Sequence, residues 1–270
     1  MINEFVLKNG LHITTHLVEH CNLNCKGCDM YAPVSQKEYA NVLEFSRDIA
    51  RLSTIFSDLV DRISLAGGEP LLHPQLLCFM YVARKYFPNS KIQIVTNGIL
   101  LLKQNKTFWK LCHELNIIIA PTKYPIQVDY DAIESIAKTY GVTIAYWNPY
   151  QEHTLIHYTL DLNGEQNPVD SYTECLRWRV EDGRPYCLLL SKGKISPCCE
   201  PLTIRHFNDY FGQNLEVDER DYIDIYSVDS WKDVLDFVSN PIPFCRYCKR
   251  RSITYGHKFS ISKKNIGEWT

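Results

Sequence analysis

Apolar and polar positions follow two alternating periods through the first 165 residues. Leu11–Val18 (LHITTHLV) is short and β-branched, and it reads as a strand. Over residues 42–60, Leu43, Ile49, Leu52, Ile55, Phe56 and Leu59 recur at helical spacing. Residues 62–66 (RISLA) predict a second strand and 74–86 a second helix. Lys91–Thr96 predicts a third strand, closed by the turn pair Asn97-Gly98. A short helix over 107–115, a strand over 116–120 and a helix over 129–140 follow, the last with Asp131 as N-cap. Residues 142–147 and 154–160 complete the series as fifth and sixth strands. Strands alternating with helices predict an α/β fold whose parallel sheet is covered by helices. A closed eight-unit barrel takes about 250 residues. Here the alternation fades near residue 165, which predicts an open, partial (β/α)6 TIM-like barrel.

The pattern changes after Asn163. Residues 163–168 (NGEQNP) read as a linker, and 187–198 (CLLLSKGKISPC) as a β-hairpin turning at Lys192-Gly193. A polar segment runs to about residue 229, and a short helix is predicted over 231–238. The expected organisation is a barrel over 1–165, a second module over 166–255 and a basic, surface-lying tail over 256–270.

The chain of 270 residues is 45% hydrophobic and 22% charged, as globular domains are. A net charge of −2 gives no field for nucleic acid. No apolar run spans a bilayer, and the first residues lack a leader pattern, so the expectation is cytoplasmic, with neither membrane nor nucleic acid as partner. Eleven cysteines change this plain picture. They cluster at 21–28, 175–199 and 245–248, and in a reducing compartment such clusters point to metal rather than disulfides. Cys78 and Cys112 stand alone in helical stretches and read as core residues.

In parallel α/β folds chemistry gathers at the C-terminal ends of strands. Cys21, Cys25 and Cys28 follow the first predicted strand, Gly67-Gly68-Glu69-Pro70 the second, and Thr96-Asn97-Gly98 the third. Three close thiolates with no nearby fourth leave one iron of a 4Fe–4S cluster open to a further ligand. Zinc, with His20 as fourth ligand, is the competing reading. At these residues the chain resembles the radical S-adenosylmethionine superfamily, whose hallmarks are CxxxCxxC after the first strand and GGEP after the second. The resemblance implies that Cys21, Cys25 and Cys28 hold a 4Fe–4S cluster. It implies further that Gly67, Gly68, Glu69 and Pro70 meet the methionine amino group, and that Thr96 and Asn97 lie near the ribose. Lys123, after the fourth strand, is a candidate for the cofactor carboxylate. Many relatives carry an aromatic residue just before the third cysteine. Gly27 stands there, and Tyr31 is the nearest aromatic for the adenine.

The second cysteine set resembles the auxiliary-cluster modules of the same superfamily, SPASM with two clusters and its shorter twitch form with one. The length after the barrel implies twitch. The favoured ligands are Cys187, Cys198, Cys245 and Cys248, with Cys175 as the alternative fourth. Cys199 is a ligand, a neighbour or a catalytic hydrogen-atom donor. A zinc ribbon on the same residues is the competing reading. Trp147, Tyr150 and Trp178 are candidates to wall a pocket, and His206 and Asn208 to contact substrate. The resemblance implies an enzyme that cleaves S-adenosylmethionine and abstracts hydrogen from a small polar substrate, sugar- or aminocyclitol-like, in a dehydrogenation or epimerisation. An external reductant such as flavodoxin or ferredoxin is implied with it. Modification of a peptide or partner protein is the alternative, and an iron–sulfur or zinc scaffold the non-enzyme one.

Overall fold

The computed structural model describes residue 6 and residues 8–147, 154–157, 159–175, 186–249 and 254–270. Tyr150 and Trp178 lie outside the described residues. Strands β1 (Leu11–Val18), β2 (Val60–Gly67), β3 (Lys91–Thr96) and β4 (Ile117–Pro121) pair in parallel in the order β4-β3-β2-β1. Helices α1 (Val42–Phe56), α2 (Leu76–Tyr86), α3 (Lys106–Glu114) and α4 (Tyr130–Tyr140) alternate with them. Leu11, Ile13 and Leu17 of β1 share one buried cluster with Ile63 and Leu65 of β2, Ile92 and Ile94 of β3, and the inner faces of α1 and α2. Each such side chain contributes about 1.5–3 kcal/mol when fully buried, which ties strand register to the helices. The alternate positions face the other side of the sheet. There the Gln93 amide donates to Ser64 Oγ (2.7 Å), and Ser64 donates to His12 Nε2 (2.7 Å). Burial, and then Arg62, lowers the His12 imidazole to about 3, so the ring is neutral and accepts.

Asn41 and Asn105 cap α1 and α3 with their side-chain oxygens. The cap of α4 is Asp129, which accepts from Ala132 N (2.9 Å), not Asp131. Asp131 lies inside the first turn, where a negative charge suits the helix dipole. Cys112 is buried as expected, but Cys78 is exposed. Leu76, Phe79, Met80 and Ala83 turn one face of α2 to the core and leave position 78 on the other.

Residues 142–147 run beside β4 through bonds such as Ala145 N to Ile119 O (2.9 Å), but with one isolated bridge rather than a ladder. The next strand, β5 (Thr154–His157), leaves the parallel sheet, and α5 (Pro168–Thr173) follows. The predicted hairpin forms from β6 (Tyr186–Ser191) and β7 (Lys194–Ser196). Its turn residues Lys192 and Gly193 have φ of 48° and 73°, the left-handed pair that a type I′ turn needs. β6 lies parallel against β1, so the hairpin widens the barrel sheet. After α6 (Glu200–Thr203) and α7 (Arg205–Phe211), β8 (Ile223–Asp224) adds the last strand of a seven-stranded, mostly parallel open sheet. Helix α8 (Trp231–Val238) and strand β9 (Thr254–Lys258) follow, and β9 pairs antiparallel with β5. A second apolar cluster holds Tyr31, Leu160, Ile204, Phe207, Phe244, Tyr247 and Trp269. The tail expected on the surface is therefore only partly there. Lys263 and Lys264 are exposed, but Trp269 is 1% exposed, because its large ring joins this cluster. Among the described residues no helix is long and apolar enough to cross a membrane.

Candidate functional site

The ends of β1, β2 and β3 are tied together through their loops. Gly68 N donates to Val18 O (2.6 Å) and Glu69 N to His20 O (3.1 Å), which fastens the 67–70 loop to the chain entering the cysteines. A Cβ on Gly67 would stand 2.3 Å from Val18 O, and one on Gly68 2.1 Å from His20 O, so only glycine allows this approach. Glu69 is fully buried. Its Oε1 accepts from Leu71 N (3.0 Å) and Thr96 Oγ1 (2.7 Å), and its Oε2 from Asn97 N (2.9 Å). Burial raises this carboxyl to about 7, against three hydrogen bonds that favour the anion. The Glu69 side chain thus clamps the end of β2 to that of β3. Asn97 Nδ2 completes the tie by donating to Asn22 Oδ1 (2.7 Å) and Cys21 Sγ (3.5 Å). Pro70 opens a single turn, Pro70–Leu72, that carries the chain away from the clamp.

Cys21 also accepts from Leu23 N (3.3 Å). Cys25 lies within electrostatic reach of Cys21 and Asp29, and Cys28 within reach of Asp29 and Cys25. Burial raises the Cys21 thiol to about 11, the Cys25 thiol to about 12 and the Cys28 thiol well above its ordinary value. Such thiols hold their protons at neutral pH until a metal cation displaces them. Among the described residues, no three Cys, His, Asp or Glu side chains stand close enough together to hold a single metal ion. The fit to an iron–sulfur cluster rests on donor chemistry: three thiols on one short loop, with hydrogen-bond donors already aimed at sulfur. One of those donors escaped the sequence reading. The Tyr124 hydroxyl hydrogen-bonds to the Cys25 thiol and lies near all three cysteines. The strand-end rule that singled out Lys123 points equally to its neighbour. Lys123 itself rests over the rings of Tyr146 (4.2 Å) and Tyr130 (5.0 Å). Tyr31, considered for the adenine, is 2% exposed and packs against Phe207 and Trp269.

The hairpin module meets the cysteine loop across a polar seam. Cys199 Sγ donates to Asp29 O (3.6 Å). His206 Nε2 lies 3.0 Å from Glu19 Oε2, and His16 Nδ1 lies 3.8 Å from the same oxygen. Burial alone would raise the Glu19 carboxyl, but hydrogen bonds and charge from His16 and His206 outweigh it and hold it well below the usual range. His16 is buried, and its Nε2 has no hydrogen-bond partner. Asn208 donates to Leu215 O (2.9 Å) and accepts from Leu215 N (3.1 Å), so its amide stabilises its own loop. Trp147 is exposed, with its ring 5.8 Å from that of His12.

Cys175 and Cys245 are electrostatic neighbours, and burial raises the Cys245 thiol to about 12. Cys198 and Cys245 pack against the second apolar cluster, and Cys248 lies near Tyr31. Cys187 is placed differently, 3.3 Å from Thr14 Oγ1 on the barrel strand β1. A depression of about 610 Å³ opens at the other end of the strands, around Gly10, Ser57 and Asn89. It touches none of these motifs.

Residues 16–119 match the model of the Radical SAM superfamily. A GTP 3′,8-cyclase of Nautilia profundicola is 27% identical over 95 residues, covering 35% of this chain and 30% of its own length. An S-adenosylmethionine-dependent nucleotide dehydratase of Selenomonas ruminantium is 34% identical over 90 residues, covering 33% and 31%. The chain thus spans about 30% of the length of these curated relatives. The fold is similar to that of BtrN, solved in complex with AdoMet and 2-DOIA, with a TM-score of 0.53 and 15% identity over 90% of this chain and 94% of that one. The motif-bearing ends of β1, β2 and β3 fall in and around the stretch that matches the Radical SAM superfamily model, within an open α/β sheet whose fold is similar to that of BtrN.

Proposed function

We propose that this chain is a radical SAM enzyme that removes a hydrogen atom from a small polar substrate, sugar- or aminocyclitol-like, in a dehydrogenation or epimerisation. The observation that carries the reading is the single hydrogen-bonded unit formed by Cys21, Glu69 and Asn97 at three adjacent strand ends. Cys21, Cys25 and Cys28 would hold the 4Fe–4S cluster, and the main chain of residues 67–70 with Thr96 and Asn97 would receive S-adenosylmethionine. When bound, cluster and S-adenosylmethionine would together supply the radical chemistry that removes the hydrogen atom. The protein's own work is to bind, orient and handle protons. His16, steadied by the anionic Glu19, presents Nε2 as a hydrogen-bond partner for a substrate hydroxyl or amine.

An auxiliary cluster on Cys175, Cys198, Cys245 and Cys248 is part of the same reading, in a twitch-type module. Cys175 replaces Cys187 in this set because its thiol neighbours Cys245, whereas Cys187 neighbours Thr14. Cys199, beside Asp29, is the candidate to return a hydrogen atom in an epimerisation. The BtrN complex with AdoMet and 2-DOIA shares the fold and makes a small ligand the first class to try. Electrons would come from a flavodoxin or ferredoxin. The test is anaerobic turnover with S-adenosylmethionine, a reductant and a panel of deuterated aminocyclitols and amino sugars. Deuterium appearing in 5′-deoxyadenosine, with a product two hydrogens lighter or inverted at one centre, supports the proposal. Deuterium transfer only from peptides would replace it with peptide modification.

A further inference from the structure

The chain returns to the cysteine loop after β9. Lys26 N donates to Ser260 O (2.8 Å) and Ser262 N to Asn24 O (2.8 Å), and Cys25 stands opposite Ile261 in an antiparallel bridge. The two bonds flank the Cys25–Ile261 pair, so it is of the non-hydrogen-bonded kind, the closer of the two antiparallel spacings. Two contacts extend this short ribbon. The ring of Phe259 packs on Tyr124 (5.3 Å), whose hydroxyl meets Cys25. Trp269 Nε1 donates to Cys28 O (2.9 Å), while its ring lies buried among Tyr31, Phe207 and Phe211. Between these points the Glu268 carboxylate accepts from Ser262 Oγ (2.5 Å), Lys263 N (2.7 Å) and Asn265 N (3.3 Å), which fixes the turn joining ribbon to tryptophan.

We propose that residues 259–269 form a strap that holds Cys25 and Cys28 in their ligand positions, with Trp269 as its latch. The cysteine loop needs such a device. Asn97 and Leu23 steady Cys21, whereas Gly27, at φ 62°, turns the chain between Cys25 and Cys28. The strap supplies bonds on both sides of that glycine, at Asn24 and Lys26 before it and at Cys28 after it. The strap residues are positioning residues: they act on the ligand loop through its backbone and through Tyr124. The inference rests on the reading of Cys21, Cys25 and Cys28 as cluster ligands.

The experiment compares the wild type with Trp269→Phe, which keeps a ring but loses the indole donor, and Ser262→Pro, which removes the amide bonded to Asn24. Hydrogen exchange at the Lys26 amide is followed in metal-free protein. Iron content and the EPR line shape of the reduced cluster, with and without S-adenosylmethionine, are followed after anaerobic reconstitution. The strap predicts Lys26 exchange at least about tenfold slower than in a free chain, and faster exchange in both variants. It also predicts an altered S-adenosylmethionine-dependent EPR signal and faster iron loss in both. Free-chain exchange at Lys26 in the wild type needs no variant to be seen and overturns the strap. So do unchanged iron retention and EPR in both variants, and that result leaves the cluster reading standing. A wild type that binds no iron at the three cysteines overturns the cluster reading itself, and the strap's role with it.

Discussion

Gly68→Ala is the sharpest small perturbation of the site. The added Cβ would lie 2.1 Å from His20 O, 2.4 Å from His20 C and 2.9 Å from Glu19 O, all of them backbone atoms. No flexible side chain yields, so the strand-end loops must part by about 0.9 Å to reach even a 3.0 Å contact. Overpacking of this kind costs about 1–3 kcal/mol. The displaced bonds, Gly68 N to Val18 O and Glu69 N to His20 O, contribute about 1 kcal/mol each. A loss of about 4 kcal/mol in a chain of this size lowers the melting temperature by about 10 °C. His20 adjoins Cys21, and a misplacement of about 1 Å costs on the order of a hundredfold in rate. The assay is thermal unfolding of metal-free protein, followed by S-adenosylmethionine cleavage after reconstitution. A Gly68→Ala protein that melts within 2 °C of the wild type (about 1 kcal/mol) and cleaves S-adenosylmethionine normally would refute the close-approach argument.

Three further outcomes follow from the same geometry. His12 stays neutral until about pH 3, whereas the unfolded chain takes up that proton near 6.5, so His12 makes stability fall as pH drops through this window. The slope is about 1.4 kcal/mol per pH unit, and NMR showing the His12 ring charged at pH 5.5 would contradict it. Tyr124→Phe removes a hydrogen bond of about 1 kcal/mol to Cys25, and EPR-monitored titration should show the cluster midpoint about 40 mV more negative. Cys175→Ala should abolish the auxiliary cluster and remove about half of the iron, while Cys187→Ala should leave the iron count unchanged; the reverse result assigns the ligand to Cys187.

Local signals were legible in the chain. The Lys192-Gly193 turn, helix Trp231–Val238 and the three strand-end motifs all depend on neighbours close in sequence, and each lies where the patterns put it. The sixth apolar stretch does form a strand, but its partner is β9, about a hundred residues away, and nothing in its own pattern names that partner. The clamp role of Glu69 was hidden because it depends on Thr96 and Asn97 arriving from another strand. The basic tail misled for a related reason. Its lysines are exposed, but its backbone pairs with residues 24–26 and its tryptophan fills a core, and charge patterning sees neither. Asp129 and Asp131 offer equal capping chemistry, and only the path of the chain into α4 decides between them.

In the proposed function, the unit formed by Cys21, Cys25, Cys28, Gly68, Glu69 and Asn97 binds and activates S-adenosylmethionine. The most direct measurement is 5′-deoxyadenosine released by anaerobically reconstituted, reduced protein, beside a Cys25→Ala variant. Release by the wild type and none by the variant is the expected result. A wild type with its iron and sulfide complete and no 5′-deoxyadenosine formed would contradict it.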